Sequence, residues 1–484
     1  MTIAQIRDEM LDLLGPDGVI TAGPQLRTYE CDGLTGYRVR PALVVLPTTT
    51  EHVAAVIRAC RRTGVPFVAR GSGTGLSGGA LPHADGVLVV LARMRSILHV
   101  DVENRYLVAE PGVTNAKISA AVADHGLYYA PDPSSQIVCS IGGNVAENSG
   151  GVHCLKYGFT TNHVQGLEFV TTDGEVVDLG GPVVDTPGYD LRGVVVGSEG
   201  TLGIATKVVV RLLRRPEAVE TLLADFDTPR EAGDAVTAIT TAGIMPAGME
   251  MMDELAIQAC EEDARVGLNL QAGAVLVVEL DGPRAEVAAL FGEVQRHCED
   301  AGATNIRIAE DAAERALIWK GRKAAFAAMG RLSRDYFVQD GVIPRTKLGE
   351  VLERIDEMST ETGYRVANVF HAGDGNLHPL VLYDGRNEGE ADEAEELAIR
   401  IVELCVESGG SITGEHGVGT DKACSMPKMF GEEDLALMQR VRAAFDPDGI
   451  CNPGKLFPTP RLCGERPGPY RPHALEQAGL AERL

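Results

Sequence analysis

Residues 70–86 read RGSGTGLSGGALPHADG, directly after the strand-like run Pro66–Ala69. How this stretch is read decides the fold. Gly73, Gly75 and Gly78 satisfy GxGxxG, the dinucleotide fingerprint, which needs a helix immediately afterwards to receive the pyrophosphate. Here the continuation GALPHADG carries Pro82 and further turn residues, so no helix is predicted. No lysine stands where a P-loop requires one. So many bare backbone N–H groups still make an anion cradle. The stretch is therefore a phosphate-binding loop of an architecture other than the doubly wound nucleotide fold.

Two further segments point the same way. Residues 131–151 read PDPSSQIVCSIGGNVAENSGG and residues 197–204 read GSEGTLGI. Each sets Gly, Ser and Asn where backbone amides can line an extended ligand. One such loop is most often a turn; three in order are hard to explain as turns alone. Cys139, inside the second segment, is read as a packed thiol near that ligand. Around these loops Ala42–Leu46, Pro66–Ala69, Val87–Leu91, Tyr106–Glu110, Leu167–Thr171 and Val194–Gly197 read as strands, with helical patterns over Glu51–Thr63 and Asn115–His125.

Past residue 217 the pattern changes. Strand-like Thr221–Asp225, Ala274–Leu280 and Asn305–Ala309 alternate with amphipathic runs at 283–302, 312–332 and 346–363. That alternation predicts an antiparallel sheet flanked by helices, an α+β unit. The acidic run 388–403 opens a helix at its positive dipole end and faces solvent. A last helix begins at Glu432 and leads into the CNPGK segment.

At 484 residues the chain holds two or three domains. A formal charge of −25 argues against nucleic acid or an anionic membrane as partner. Ile3, Ile6, Met10, Leu13 and Leu14 lie at helical spacing among charges, so the N-terminus reads as a helix over 1–15 and not as a signal peptide. No stretch approaches the roughly 18 apolar residues of a membrane span. The ten cysteines form no CxxC pair, which speaks against a zinc ribbon or an iron–sulfur cluster in this chain. The expected location is the cytoplasm, with any membrane attachment peripheral and through partners.

Histidine is scarce, 11 in all, yet His371 and His378 stand in HAGDGNLHP (371–379) and His416 beside Glu415 in GEHGVG (414–419). Two imidazoles and a carboxylate can hold a divalent metal, and the remaining histidine can move a proton. The HExxH spacing of a helical zinc site is absent, so the ligands come from two separate loops or strand ends. On residue types alone, buried hydrogen-bonded histidines explain the pattern about as well as a metal does.

The combination RGSGTGLSGG, PDPSSQIVCSIGGNVAENSGG and GSEGTLGI resembles the FAD-binding domain of the vanillyl-alcohol-oxidase (PCMH-type) superfamily. HAGDGNLHP and GEHGVG resemble the C-terminal domain of its D-2-hydroxy-acid dehydrogenase branch. Within that branch IWKGRKAAF (318–326), DYFVQDGVIPR (335–345) and CNPGKLFP (451–458) look most like glycolate oxidase flavin subunits, with D-lactate dehydrogenases close behind. The likeness spans about residues 38–457. It implies an α+β chain: a PCMH-type FAD-binding domain over 1–217, a substrate (cap) domain over 218–425, a helical segment over 426–460 returning to the first domain, and a loose tail over 461–484.

The resemblance implies that Arg70, Gly71, Ser72, Gly73, Thr74, Gly75, Ser77 and Gly78 wrap the FAD pyrophosphate. Pro131, Asp132, Ser134, Gly142, Gly143, Asn144, Ser149 and Gly150 would follow the ribityl and isoalloxazine portion. Glu199, Gly200 and Ile204 would approach the adenine half, and Asn452 and Lys455 would return to the flavin face. Some relatives tether FAD through a histidine in the first loop. Leu76 occupies the comparable place and no His lies between 53 and 82, so non-covalent FAD is implied.

By the same transfer His371, His378 and Glu415 are metal ligands for Zn or Mn, His416 is the base, Arg322 binds the substrate carboxylate, and Asn376 orients a ligand or caps a turn. Phe326 and Val338 stand near positions that are polar or basic in hydroxyglutarate-type members, which implies a small acid, glycolate or D-lactate. Electrons would leave through an iron–sulfur or second flavin subunit, a quinone or a cytochrome. The competing readings are a stand-alone D-lactate dehydrogenase, a flavin-binding subunit without catalysis, and a metal-dependent hydrolase that leaves the three glycine loops without a role.

Overall fold

The structure, a computed structural model, describes residues 2–183 and 187–458. The expected tail over 461–484 lies outside the described residues. Leu43–Val45, Val87–Val90 and Phe67–Arg70 run parallel with Val87–Val90 in the middle, and Val19–Ile20 adds antiparallel beside Leu43–Val45. Parallel strands covered on both faces need unbroken apolar runs, and every residue of Leu43–Val45 and Val87–Val90 is buried. Helices Ile3–Leu14 and Thr50–Thr63 pack into this core. Between Arg70 and Val87 there are only turns and bends, so the first glycine loop leads into no helix.

A five-stranded antiparallel sheet follows, in the order Ile97–Asp101, Tyr106–Ala109, Gly203–Arg211, Val164–Thr171, Val176–Gly180. Its core takes in helices Asn115–Val122 and Ile141–Glu147. The strand expected over Val194–Gly197 is absent. Leu191–Val195 forms a short helix instead, because the Asp190 carboxylate accepts from the Gly193 amide and caps its start. Gly197 then turns the chain at φ +82°.

The antiparallel sheet of the second half has seven strands, ordered Asn305–Ile308, Ala218–Phe226, Ala274–Gly282, Gly248–Asp253, Val366–Phe370, Pro379–Tyr383, Asp335–Val338. Alternate side chains go to opposite faces. Leu222, Ala224 and Phe226 meet helices Pro229–Thr241, Arg284–Asp300, Leu348–Thr362 and Glu390–Glu407. Leu223, Val275 and Val277 meet Glu254–Ala264, Ala312–Lys323 and Ala325–Leu332 on the other side. The run expected as one helix over 312–332 is thus two, meeting at Ala324. Helix Glu432–Phe445 ends well before CNPGK, and residues 450–452 return beside Phe67: the Phe67 amide donates to Ile450 O at 2.9 Å and the Asn452 amide to Phe67 O at 2.8 Å.

His153 joins the two halves by charge. Its Nδ1 lies 3.0 Å from Asp132 Oδ2, and its Nε2 3.1 Å from Glu279 Oε1 in the seven-stranded sheet. Trp319 Nε1 and Thr221 Oγ1 donate to the other Glu279 oxygen at 2.6 and 2.7 Å. Burial pulls the imidazole down, but Asp132 and Glu279 raise it well above its usual value. Burial lifts the two carboxyls, yet His153 holds both below theirs. A raised imidazole contributes stability that is complete below pH 6.5 and lost as pH climbs through its folded-state value. The depressed carboxylates contribute above the carboxylate range and lose that contribution on acidification. His153→Gln is therefore expected to cost about 2 kcal/mol near neutrality, the low side of a broken buried pair since the imidazole is partly exposed. Thermal unfolding of wild type and variant at neutral and strongly alkaline pH checks this: the gap between them closes at high pH.

Candidate active site

A cleft with about 920 Å³ of empty space, part of it open to solvent, lies between the two N-terminal sheets. Its walls include the strand end and loop Arg70–Gly75, then Gly142, Gly143, Asn144 and Ser149, then Glu199, Gly200 and Ile204. Cys139 also lines it and is buried. Among the described residues the amides of Ser72, Gly73, Thr74 and Gly75 donate to no protein acceptor, and such groups need a partner from elsewhere. Open amides of this kind suit the phosphates of a dinucleotide.

The other expected cofactor residues are not part of this lining. The Ser77 carbonyl accepts from the amides of Thr420 and Asp421. Gly78 has φ +77° and faces Thr420. Asp132, next to Pro131 and Ser134, holds His153. Gly150 abuts Glu415: a Cβ there would stand 2.5 Å from Oε2. Asn452 Nδ2 bridges the carbonyls of Gly79 and Glu199 at 3.0 and 2.7 Å, and Lys455 Nζ donates to Leu81 O at 3.0 Å. Burial pulls Lys455 down to about 8.

The two histidine segments meet as one cluster. His371 closes strand Val366–Phe370 in a tight turn, where its backbone pairs with Asn376. His378 follows on the returning stretch. Both imidazoles aim Nε2 at the same atom, Glu415 Oε1, at 3.0 Å from His371 and 3.5 Å from His378. Donors around a tetrahedral ion at 2.0–2.2 Å sit about 3.3 Å apart, so these three atoms have the spacing of a ligand set. His371 Nδ1 donates to Glu250 Oε1 at 2.6 Å, which fixes the tautomer that leaves Nε2 free for a cation.

His416 stacks on His378, centroids 4.8 Å apart and 9° between planes, with its Nδ1 4.0 Å from Asp340 Oδ2. Burial, and His378 beside it, push His416 down to about 4, so its imidazole is neutral at ordinary pH. Burial works against the Glu415 carboxylate, but His371 and His378 hold it at about 2.

Two organising carboxylates were not legible in the sequence. Glu250, fully buried, serves His371 and also stands 2.6 Å from Arg322 Nη2. Arg322 is therefore no surface residue: it is 2% exposed, and its Nε and Nη2 make no directed hydrogen bond among the described residues. Asp340, also fully buried, lies 3.3 Å from His378 Nε2 and 3.5 Å from Lys422 Nζ. It accepts from the amides of Gly414, Glu415 and His416 at 3.0, 3.2 and 2.8 Å. Asn376 packs on Gly414, where a Cβ would meet its amide carbon at 2.6 Å, and its Oδ1 has no partner among the described residues. Asp340 precedes Gly341 within DYFVQDGVIPR but stands far in sequence from both histidine segments, and for Glu250 the sheet register brings Met251 opposite Phe370 and so carries it to His371.

Comparison with known proteins identifies the family. Residues 215–456 match the family model of FAD linked oxidases, C-terminal domain, and residues 41–180 match that of the FAD binding domain. The chain is 52% identical over 447 residues to the glycolate oxidase subunit GlcD of Escherichia coli (strain K12), covering 92% of this chain and 90% of that one. It is 31% identical over 453 residues to the D-lactate dehydrogenase of Anaerostipes hadrus, covering 92% and 95%. In fold it is similar to p-cresol methylhydroxylase, with TM-score 0.78 at 18% identity over 94% of this chain and 96% of that one. The chain belongs to the FAD-linked oxidases of the vanillyl-alcohol-oxidase (PCMH-type) superfamily, in the branch that holds glycolate oxidase subunits and D-lactate dehydrogenases, and is a flavin-dependent oxidoreductase.

Proposed function

We propose that this chain oxidises a small D-2-hydroxy acid, glycolate or D-lactate, to the 2-oxo acid as the flavin subunit of a glycolate oxidase. The observation that carries the reading is the convergence of His371 Nε2 and His378 Nε2 on Glu415 Oε1, with His416 stacked alongside. Bound FAD supplies a hydride acceptor, and a divalent ion, Zn or Mn, held by His371, His378 and Glu415 supplies a Lewis acid that makes a substrate hydroxyl more acidic. His416, neutral because it is buried, takes the hydroxyl proton, and Asp340 near its Nδ1 stabilises the imidazolium that results. Arg322, paired through Nη2 with Glu250, has its Nε left for the substrate carboxylate. Residues 1–217 hold the flavin in this reading, 218–425 form the substrate side, and 426–460 return to the flavin domain.

Charge and size favour a small monoanion. Glu250, Asp340 and Glu415 bring three negative charges, Arg322 and Lys422 two positive ones. A divalent cation leaves the centre at plus one, which a single carboxylate neutralises. The Phe326 ring lies 5.8 Å from His378, giving that side an apolar wall. Val338 is packed into the sheet core instead. Electrons pass on to a partner subunit carrying an iron–sulfur centre or second flavin, or to a quinone or cytochrome; among the described residues no helix is long and apolar enough to cross a membrane.

The test is the visible spectrum of purified protein under anaerobic addition of glycolate and then D-lactate. Bleaching of the flavin band by one of them is expected, and the faster acid separates a glycolate oxidase subunit from a D-lactate dehydrogenase. A flavin that neither acid reduces would overturn the substrate reading.

A further inference from the structure

The loop that carries Glu415 and His416 is gripped from both halves of the molecule. Asp340, on the substrate side, takes the amides of Gly414, Glu415 and His416. Glu199 takes the next two donors: its Oε1 accepts from the Val418 amide and its Oε2 from the Gly419 amide, each at 2.6 Å. Glu199 belongs to the wall of the flavin cleft. It is 4% exposed and holds φ +52°, a left-handed conformation uncommon for a glutamate. Strain of that kind persists where surroundings over-determine it. The Glu199 amide donates to Ala146 O at 2.8 Å, and Asn452 Nδ2 donates to the Glu199 carbonyl at 2.7 Å.

Gly417 lies between the two grips at φ +83°, and a Cβ there would stand 2.9 Å from Glu199 Oε1 and 2.3 Å from Glu147 Oε2. The loop thus rests on two carboxyls of the flavin domain with no room for a side chain. Burial, and Glu199 beside it, push the Glu147 carboxyl well above the usual carboxylate range, so Glu147 is the neutral member. Burial raises the Glu199 carboxyl as well, but the two amides donating to it and Lys422 and Lys455 nearby work against that rise.

We propose that Glu199 is a positioning residue for the reaction: it ties the loop bearing Glu415 and His416 to the wall of the flavin cleft, so the base is set in register with the cofactor-binding domain as well as with its own. The inference rests on the assignment of His416 as the base. Its chemistry is specific to a carboxylate. Two amides converge on two oxygens, and a carboxamide offers one acceptor while turning its NH₂ toward the second amide.

Two variants test it, Glu199→Gln and Glu199→Asp. The second keeps the charge, suits a left-handed backbone and draws the carboxylate back by one methylene. Both are measured as holoenzyme in anaerobic stopped flow with the acid that reduces wild type, and rates are counted per bound flavin. The limiting rate of flavin reduction is expected to fall about 10- to 100-fold, the scale of a slight misplacement of a catalytic group, while the apparent Kd for the acid changes little. The solvent deuterium isotope effect on that rate is expected to rise as proton transfer to His416 becomes slower, which a merely structural role would not produce. His416→Ala runs in parallel. Wild-type rates and isotope effects in the Glu199 variants, with His416→Ala slowed, overturn this inference alone. Wild-type rates in all three overturn the base assignment beneath it.

Discussion

His416→Ala is expected to purify with its flavin and to reduce it about 10²- to 10⁴-fold more slowly than wild type, the usual contribution of a positioned general base. The cofactor should stay because the cleft is built from Arg70–Gly75 and the segments around Gly142 and Gly200, and His416 is not part of its lining. The rate should fall because the other two imidazoles of the cluster are engaged: His371 is committed on both nitrogens to Glu250 and Glu415, and His378 points its Nε2 at Asp340 and Glu415. Anaerobic stopped-flow absorbance at saturating acid reads the effect directly. A variant that reduced as fast as wild type would remove His416 from the reaction.

Glu415→Ala should be at least as severe and differ in kind. Oε1 is the atom on which both Nε2 groups converge, so its loss leaves two imidazoles and no anion between them. Metal content by elemental analysis is expected to fall toward zero, and flavin reduction by about a thousandfold, roughly 4 kcal/mol of lost charge stabilisation. Wild type stripped with a chelator should show the same loss and recover with added Zn or Mn, whereas Glu415→Ala should not recover. Full metal occupancy in the variant would show that the ligands are other residues, Asp340, His378 and His416 being the overlapping set within reach.

What the sequence conveyed and what it withheld follow from locality. The glycine loop at 70–86 was readable because a missing helix leaves a local trace, Pro82 among turn residues. The seven-stranded sheet was readable from the alternation of apolar runs. Val194–Gly197 was misread because valines favour strands, while the cap that makes a helix there is a single carboxylate at Asp190. His371, His378, Glu415 and His416 stand in marked glycine-rich loops and could be named. The roles of Glu250 and Asp340 could not: Asp340 stood inside the quoted DYFVQDGVIPR without a part assigned to it, and the pairing of Gly248–Asp253 with Val366–Phe370, and the packing of Asp340 under residues 413–416, make the two matter. Glu199 was expected to serve the cofactor through its motif, yet its side chain reaches across to Val418 and Gly419.

The return of residues 450–452 to Phe67 has a consequence for biosynthesis. Phe67–Arg70 is the edge strand of the first sheet, and its outer side is filled by a piece of chain almost four hundred residues downstream. While the polypeptide is still being made, that edge stays open and the nearby glycine loop lacks the support of Asn452 and Lys455. The nascent first domain can collapse around its helices early, but it completes only once residues 450–455 have emerged. Contacts of such sequence separation form slowly, and open strand edges invite pairing with other chains in the meantime. Slow maturation and a need for protection during synthesis are thus built into the order in which this chain emerges.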